Sequence, residues 1–246
     1  MIPSFATERT QSPYEYLLSC GYTESFLNSL SNEMILQMYN AIGDNEVVNI
    51  EETTFQVNEF GNLIPIALMG TINSSSLTVT ISTSEILKKG TREIGACMYT
   101  AVWEWAANKP LIKYKDPISV NWDSNVFLMN SFYSQDTGRN SQSVDCTIVR
   151  DYGNPAESAQ GGVGFFNNLP LNYTYIGGGL ILLLQPTYAM YQGTLQHTQI
   201  SFNYYHNRNP LGFGVSIGYE GSGITINPGS LYDSIAISKP FDFSRS

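Results

Sequence analysis

Residues 31–57, SNEMILQMYNAIGDNEVVNIEETTFQV, contain the change of rhythm that decides the fold. Up to Ile42 the apolar residues Met34, Ile35, Met38 and Ile42 recur three and four apart, the spacing of one helix face. Ser31 offers an N-cap and Gly43 a stop. Beyond Asp44 the apolar period falls to two, and residues 46–57 read as a strand.

Toward the N-terminus, Ser12-Pro13-Tyr14-Glu15 is a capping box with proline at the first helical position, so a helix begins there. Gly21 can take the left-handed position after it, and Thr23 offers a further N-cap. Leu17, Leu18, Tyr22, Phe26, Leu27 and Leu30 continue the helical spacing. Residues 1–44 thus read as a small helical module. Its elements are too short to be stable alone, so their apolar face must dock on itself or on the chain beyond residue 44.

Toward the C-terminus, the expected strands are 63–69, 77–82, 92–106, 117–122, 126–133, 143–150, 161–166, 178–184, 187–191, 198–205, 211–219 and 231–237. Turn chemistry at Gly61-Asn62, Lys89-Gly90, Asn108 to Pro110, Gly138, Gly153-Asn154-Pro155, Asn207 to Pro210 and Asn227-Pro228-Gly229 separates them. Many short strands with no helical pattern between them predict a mainly β protein. The expected architecture is an antiparallel, jelly-roll-like β-sandwich over residues 45–246 behind the helical module.

Composition removes several function classes. The 246 residues carry 12 Lys and Arg against 21 Asp and Glu, a net charge of −9. No basic field exists to attract phosphate, which excludes nucleic acid as a partner. With 12 Phe, 16 Tyr and 3 Trp the chain is too aromatic to be disordered. The longest purely apolar run, Leu180 to Leu184, is far short of the ~20 residues of a membrane-spanning helix. The opening MIPSFATERTQSPYEY has no basic and apolar leader pattern. It therefore belongs either to a cytosolic protein or to a mature secreted one, and the low charge with abundant Ser, Thr, Asn and Tyr favours the extracellular placement. Cys20, Cys97 and Cys146 lack metal-ligand spacing, and an odd count leaves at least one thiol unpaired. Buried free thiols and a Cys97–Cys146 bridge both fit.

The segments SPYEYLLSCGYTESFLNSLSNEMILQMY, DPISVNWDSNVF, SAQGGVGFF and HTQISFNYYH with GFGVSIGYEGSG resemble uncharacterised secreted proteins of Gram-positive bacteria. The resemblance implies a short helical segment followed by a β-rich domain outside the cell. It carries no assigned activity and no functional residues.

Candidate sites are sparse. Gly214-Val215-Ser216-Ile217-Gly218 matches the nucleophile-elbow pattern, but the following YEGSGITINPG cannot form the required helix and both histidines precede the serine. His197 and His206 are nine apart, which puts them on opposite faces of one unbroken strand and argues against a shared metal. No cofactor is expected; calcium has candidate ligands in Asp123 and Asn125 of the NWDSN turn and in Asp242. Glu104, with Asp116 or Asp145, could form the carboxylate pair of a glycoside hydrolase. Tyr99, Trp103 and Trp105 share one strand face and are the ligand-binding candidates, as a platform for sugar rings or other flat apolar ligands. The same face carries Cys97 and Ala101, an alternation of large and small that also suits a sandwich core. Tyr204, Tyr205, His206 and Tyr219 form a second aromatic candidate. Thr71 to Ser82 alternates hydroxyl and apolar residues, as barrel-forming hairpins do.

These features lead to a secreted, non-enzymatic module that binds a surface glycan, a protein or itself. A carboxylate-dependent glycoside hydrolase and a membrane-active, pore-forming protein are the alternatives.

Overall fold

The computed structural model describes residues 11–57, 63–65, 77–105, 115–141, 147–152, 157–168, 172–187, 196–207, 216–220, 223–227 and 232–243. Helices α1 (Pro13–Cys20), α2 (Glu24–Leu27) and α3 (Asn32–Ile42) come first. Each begins on the hydroxyl that the sequence offered. Ser12 accepts from the Glu15 backbone N–H while the Glu15 carboxylate accepts from that of Ser12. Thr23 accepts from Phe26 and Ser31 from Met34, satisfying donors at helix starts that would otherwise lack partners. Gly21 ends α1 at φ 110°, in the left-handed region that penalises a Cβ.

Fourteen strands follow among the described residues. In chain order they are β1 (Glu46–Val57), β2 (Leu63–Pro65), β3 (Leu77–Leu87), β4 (Ile94–Trp105), β5 (Lys115–Asn121), β6 (Phe127–Arg139) and β7 (Thr147–Tyr152). Then come β8 (Glu157–Ala159), β9 (Gly162–Asn168), β10 (Tyr175–Pro186), β11 (Gln196–Asn207), β12 (Ser216–Glu220), β13 (Gly223–Asn227) and β14 (Tyr232–Phe243). A seven-stranded sheet has the order β2-β1-β3-β4-β10-β6-β7, a five-stranded sheet β14-β11-β5-β9-β8, and β12 with β13 forms a hairpin. Every pairing is antiparallel.

The two large sheets enclose the main core. Cys97, Tyr99, Ala101 and Trp103 of β4 and Leu180, Leu182 and Leu184 of β10 meet Ile118, Val120, Val163, Phe165, Ile200 and Phe202 of the opposite sheet. The alternate residues Met98, Val102, Ile181 and Leu183 point to the other face, where they join Leu17, Phe26, Leu27, Met34, Met38 and Ile42 of the helices. The helices therefore cover the outside of the seven-stranded sheet. This is why the middle of that sheet reads as an unbroken apolar run: β10 is buried on both faces. Two glycines of β10 make the fit possible. A Cβ at Gly178 would fall 2.7 Å from the Trp103 ring, and one at Gly179 would collide with the Met34 sulfur. On the far side, the β12–β13 hairpin lays Ile217 and Ile224 against Gly164 of β9.

The mainly β, antiparallel class with a small helical part is the fold. Some boundaries differ from expectation. Gly138, read as a turn, lies inside β6, because the Tyr173 ring occupies the space of its missing side chain. The segment after the expected elbow forms β13, whose Ile224 and Ile226 alternate with Thr225. Residues 188–191 of the expected strand 187–191 and residues 71–76 of the hydroxyl-rich stretch lie outside the described residues. The remainder of that stretch, Leu77 to Ser82, opens β3, which is paired with β1 on one side and β4 on the other. Cys97 is a buried free thiol that burial pushes well above the ordinary thiol range, and Cys146 lies outside the described residues.

Candidate functional site

On four strands the inward-facing apolar run ends in a polar residue, and all four polar residues lie toward the same end of the sandwich. Asp116 precedes Ile118 and Val120 on β5, Asn167 follows Val163 and Phe165 on β9, and His206 follows Phe202 and Tyr204 on β11. On the facing sheet Asp136 stands two positions beyond Ser134 on β6. Register makes Asp116 the direct neighbour of Asn167. Tyr204 pairs with Ile118, which places His206 level with Asp116.

Asp116 is fully buried. Tyr204 donates its phenol hydrogen to Asp116 Oδ2, and His206 Nδ1 lies 3.0 Å from the same oxygen and 3.3 Å from Oδ1. A carboxylate only accepts, so toward it His206 carries its proton on Nδ1. Trp105 Nε1 donates to the Tyr204 hydroxyl at 3.0 Å, and its ring packs on that of His206 with centroids 5.0 Å apart. Burial, and then the charge of Asp116, push the Tyr204 phenol well above its ordinary range, which keeps it a donor. Asp136 Oδ2 accepts the backbone N–H of Asn168 at 3.1 Å and so ties the two sheets together.

The three aromatic candidates divide. Tyr99 and Trp103 are 0% and 1% exposed, so their rings belong to the core rather than to a surface platform, as the large–small alternation allowed. Trp105 alone reaches the rim, where it packs on Tyr204 and His206. The second cluster also splits: Tyr204 and His206 face inward, Tyr205 lies on the other face, and the side chain of Tyr219 lies outside the described residues. β11 is in unbroken register with β14 from Gln196 to Asn207, so His197 and His206 hold positions of opposite parity. Ser216 begins a hairpin strand, without the helix that an elbow needs.

Glu104 occupies the outer face of the seven-stranded sheet, where Arg139 Nη2 binds it at 2.6 Å with the guanidinium over Tyr175. Asp116 points into the interior from the opposite sheet, so these two acids do not converge on one bond. Asp145 lies outside the described residues. Asp123 Oδ1 accepts from both the backbone and the side chain of Asn125, closing its own turn, and the side chain of Asp242 is not among those described. No group of three or more His, Cys, Asp or Glu among the described residues is arranged to hold a metal ion. No described helix is long and apolar enough to cross a membrane.

At the opposite end of the five-stranded sheet from Asp116, a groove of about 550 Å³ opens beside the 122–126 turn. Asn121, Asp123, Thr198, Gln199, Ser201 and Pro240 line it together with Trp122. Asn121 is held in place by accepting the Ile224 backbone N–H at 2.6 Å. This groove carries no sequence motif. Its residues come from the end of β5 and the turn after it, from β11 and from β14, and strand pairing brings these elements together.

No family model matches the chain, and no curated protein does. Among solved structures, one described as BspA_C_mut aligns with a TM-score of 0.32 at 6% identity, covering 67% of this chain and 54% of its own. The C-terminal domain of the Streptococcus pyogenes antigen I/II-family protein AspA aligns with a TM-score of 0.30 at 10% identity, covering 66% of this chain and 44% of its own. The chain thus spans about half the length of each structure. Likenesses of this size assign neither family nor activity.

Proposed function

We propose that this protein is a secreted, non-enzymatic binding module, and that the groove beside the 122–126 turn is its recognition surface for a neutral glycan. The observation that carries this reading is the contrast between the two ends of the five-stranded sheet. The ionisable cluster around Asp116 is enclosed and bonded to its own neighbours, whereas the groove presents amide and hydroxyl groups with one carboxylate to solvent. Such groups exchange hydrogen bonds with sugar hydroxyls readily, and among the described residues no cation lines the groove to select an acidic ligand. The extracellular placement rests on the low charge and on the resemblance to secreted proteins. The hydrolase alternative loses support because Glu104 and Asp116 face apart. The pore-forming alternative loses support because β3 is hydrogen-bonded on both sides, so its release would open the sheet through the middle.

The test is thermal shift of the intact chain against a panel of neutral and acidic oligosaccharides. A ligand preferring the native state raises the midpoint by mass action. A rise with one neutral sugar class, lost in a Gln199→Ala/Ser201→Ala variant, is expected. A rise that survives this double substitution, or none with any sugar, overturns the assignment.

A further inference from the structure

Three buried polar side chains near the polar end have no hydrogen-bond partner among the described residues. Neither Oδ1 nor Nδ2 of Asn167 is bonded, and the same holds for Trp103 Nε1 and Ser134 Oγ. Asn167 and Ser134 are 0% exposed and Trp103 is 1% exposed. Most buried polar groups find a partner, so three neighbours without one call for an explanation.

Their positions converge. Asn167 faces inward from β9, two residues beyond Phe165, whose ring centroid is 6.0 Å from that of Trp103. The nitrogen-bearing edge of the Trp103 indole lies over Gly178. Gly178 is paired with Asp136, and Leu180, next on the same face, is paired with Ser134. Asp136 in turn accepts from the backbone of Asn168, which brings this part of β6 against the end of β9. Trp103 and Ser134 from one sheet and Asn167 from the other thus border the same stretch of the inter-sheet space.

The donor set selects the occupant. The indole only donates, the amide offers two donors and one acceptor, and the hydroxyl can do either. A cation would face the indole and amide N–H groups, and an anion would face the acids Asp116 and Asp136. A small neutral molecule that both accepts and donates satisfies all three groups, and water does this with the usual two to four partners of a buried site.

We propose that ordered internal water binds between Trp103, Ser134 and Asn167 and completes the polar end of the sandwich. Asn167 neighbours Asp116, so this water extends the Asp116–Tyr204–His206 network inward from the rim.

The test is water–protein cross-relaxation by NMR on the intact chain, read at the three indole N–H groups, with Trp103 assigned by Trp103→Phe. The expected result is a bound-water cross-peak at the Trp103 indole. It should be absent at the Trp122 indole, which donates to the Phe127 carbonyl. Asn167→Leu should abolish the peak; should that variant fail to fold, Ser134→Ala is expected to weaken it while leaving the Trp122 signal unchanged. A wild-type Trp103 indole with no water cross-peak overturns the proposal. So does a melting midpoint that rises with sodium or calcium in the wild type but not in Asn167→Leu, since that would make the occupant a cation.

Discussion

Trp103 and Gly178 are register partners on β4 and β10, and the indole, with the Gln135 carbonyl, fills the volume that a side chain at position 178 would need. Replacing Gly178 by Ala forces the ring or the strand to move. Overpacking of this kind costs about 1–3 kcal/mol, so Gly178→Ala should lower the melting midpoint by several degrees. Trp103→Phe should relieve the part of the clash that the ring causes, though not the part against the Gln135 carbonyl, making the double substitution less damaging than the sum of the single ones. Strict additivity in a double-mutant cycle would disprove this coupling.

Tyr204→Phe should destabilise the protein more than its single lost hydroxyl suggests. It removes a donor from the buried Asp116 and the acceptor of the Trp105 indole. Asp116 keeps His206, but the Trp105 indole loses its acceptor, and a polar group left without its partner costs about 1–3 kcal/mol. Urea unfolding would measure the loss, and a change under about 0.5 kcal/mol, the usual range for surface substitutions, would mean that water replaces the hydroxyl at once.

Glu85 makes stability depend on pH. It is buried on β3 beside the β1 irregularity, where Asn49 sits at φ 52° and donates its amide to Glu85 Oε2 at 2.9 Å. Burial nevertheless raises the carboxyl above its ordinary range. A raised folded-state value means that folding favours the protonated acid. Its contribution is therefore complete below the ordinary glutamate range and is lost as pH rises through the folded value. Glu85→Gln should accordingly gain in melting midpoint over wild type as the pH rises out of the ordinary glutamate range. A difference between the two proteins that stays flat with pH would contradict this.

The helical module should not be removable. Deleting residues 1–44 would bare Ile86, Met98, Val102, Ile181 and Leu183 on one sheet face. Contiguous apolar patches of this kind drive association. The shortened chain is expected to elute as aggregates in size-exclusion chromatography, and a stable monomer would show that the sheet does not need its cover.

How much the sequence disclosed depends on how local each feature is. Helix starts at Ser12, Thr23 and Ser31 depend on contacts three residues away, and all three formed where the side chains indicated. The shared face of Cys97, Tyr99, Ala101 and Trp103 comes from strand parity alone. Whether that face met solvent or a second sheet depended on residues about a hundred positions away, so a core could be taken for a platform. Gly138 misled because glycine marks turns and close approaches alike, and only Tyr173 distinguishes the two here. The polar end did leave a trace. Asp116, Asn167 and His206 each continue the inward parity of an apolar run, and an acid or amide at an inward position signals a buried network. The groove left none, since Thr198, Gln199 and Ser201 of β11 look like any solvated face, and Asn121 and Pro240 join them only through strand pairing.

The position of β10 in the chain also sets the order in which the protein can be assembled. Its partners β4 and β6 are complete by residue 139, yet the strand that joins them spans residues 175–186. The helices, made first, rest in part on Gly179, Ile181 and Leu183 of that same late strand. The cluster beneath the helices is therefore completed only when about three quarters of the chain exists. Non-local pairing of this kind folds slowly, because long loops must close before any contact rewards them. A chain built this way closes its seven-stranded sheet only after most of its length has been made.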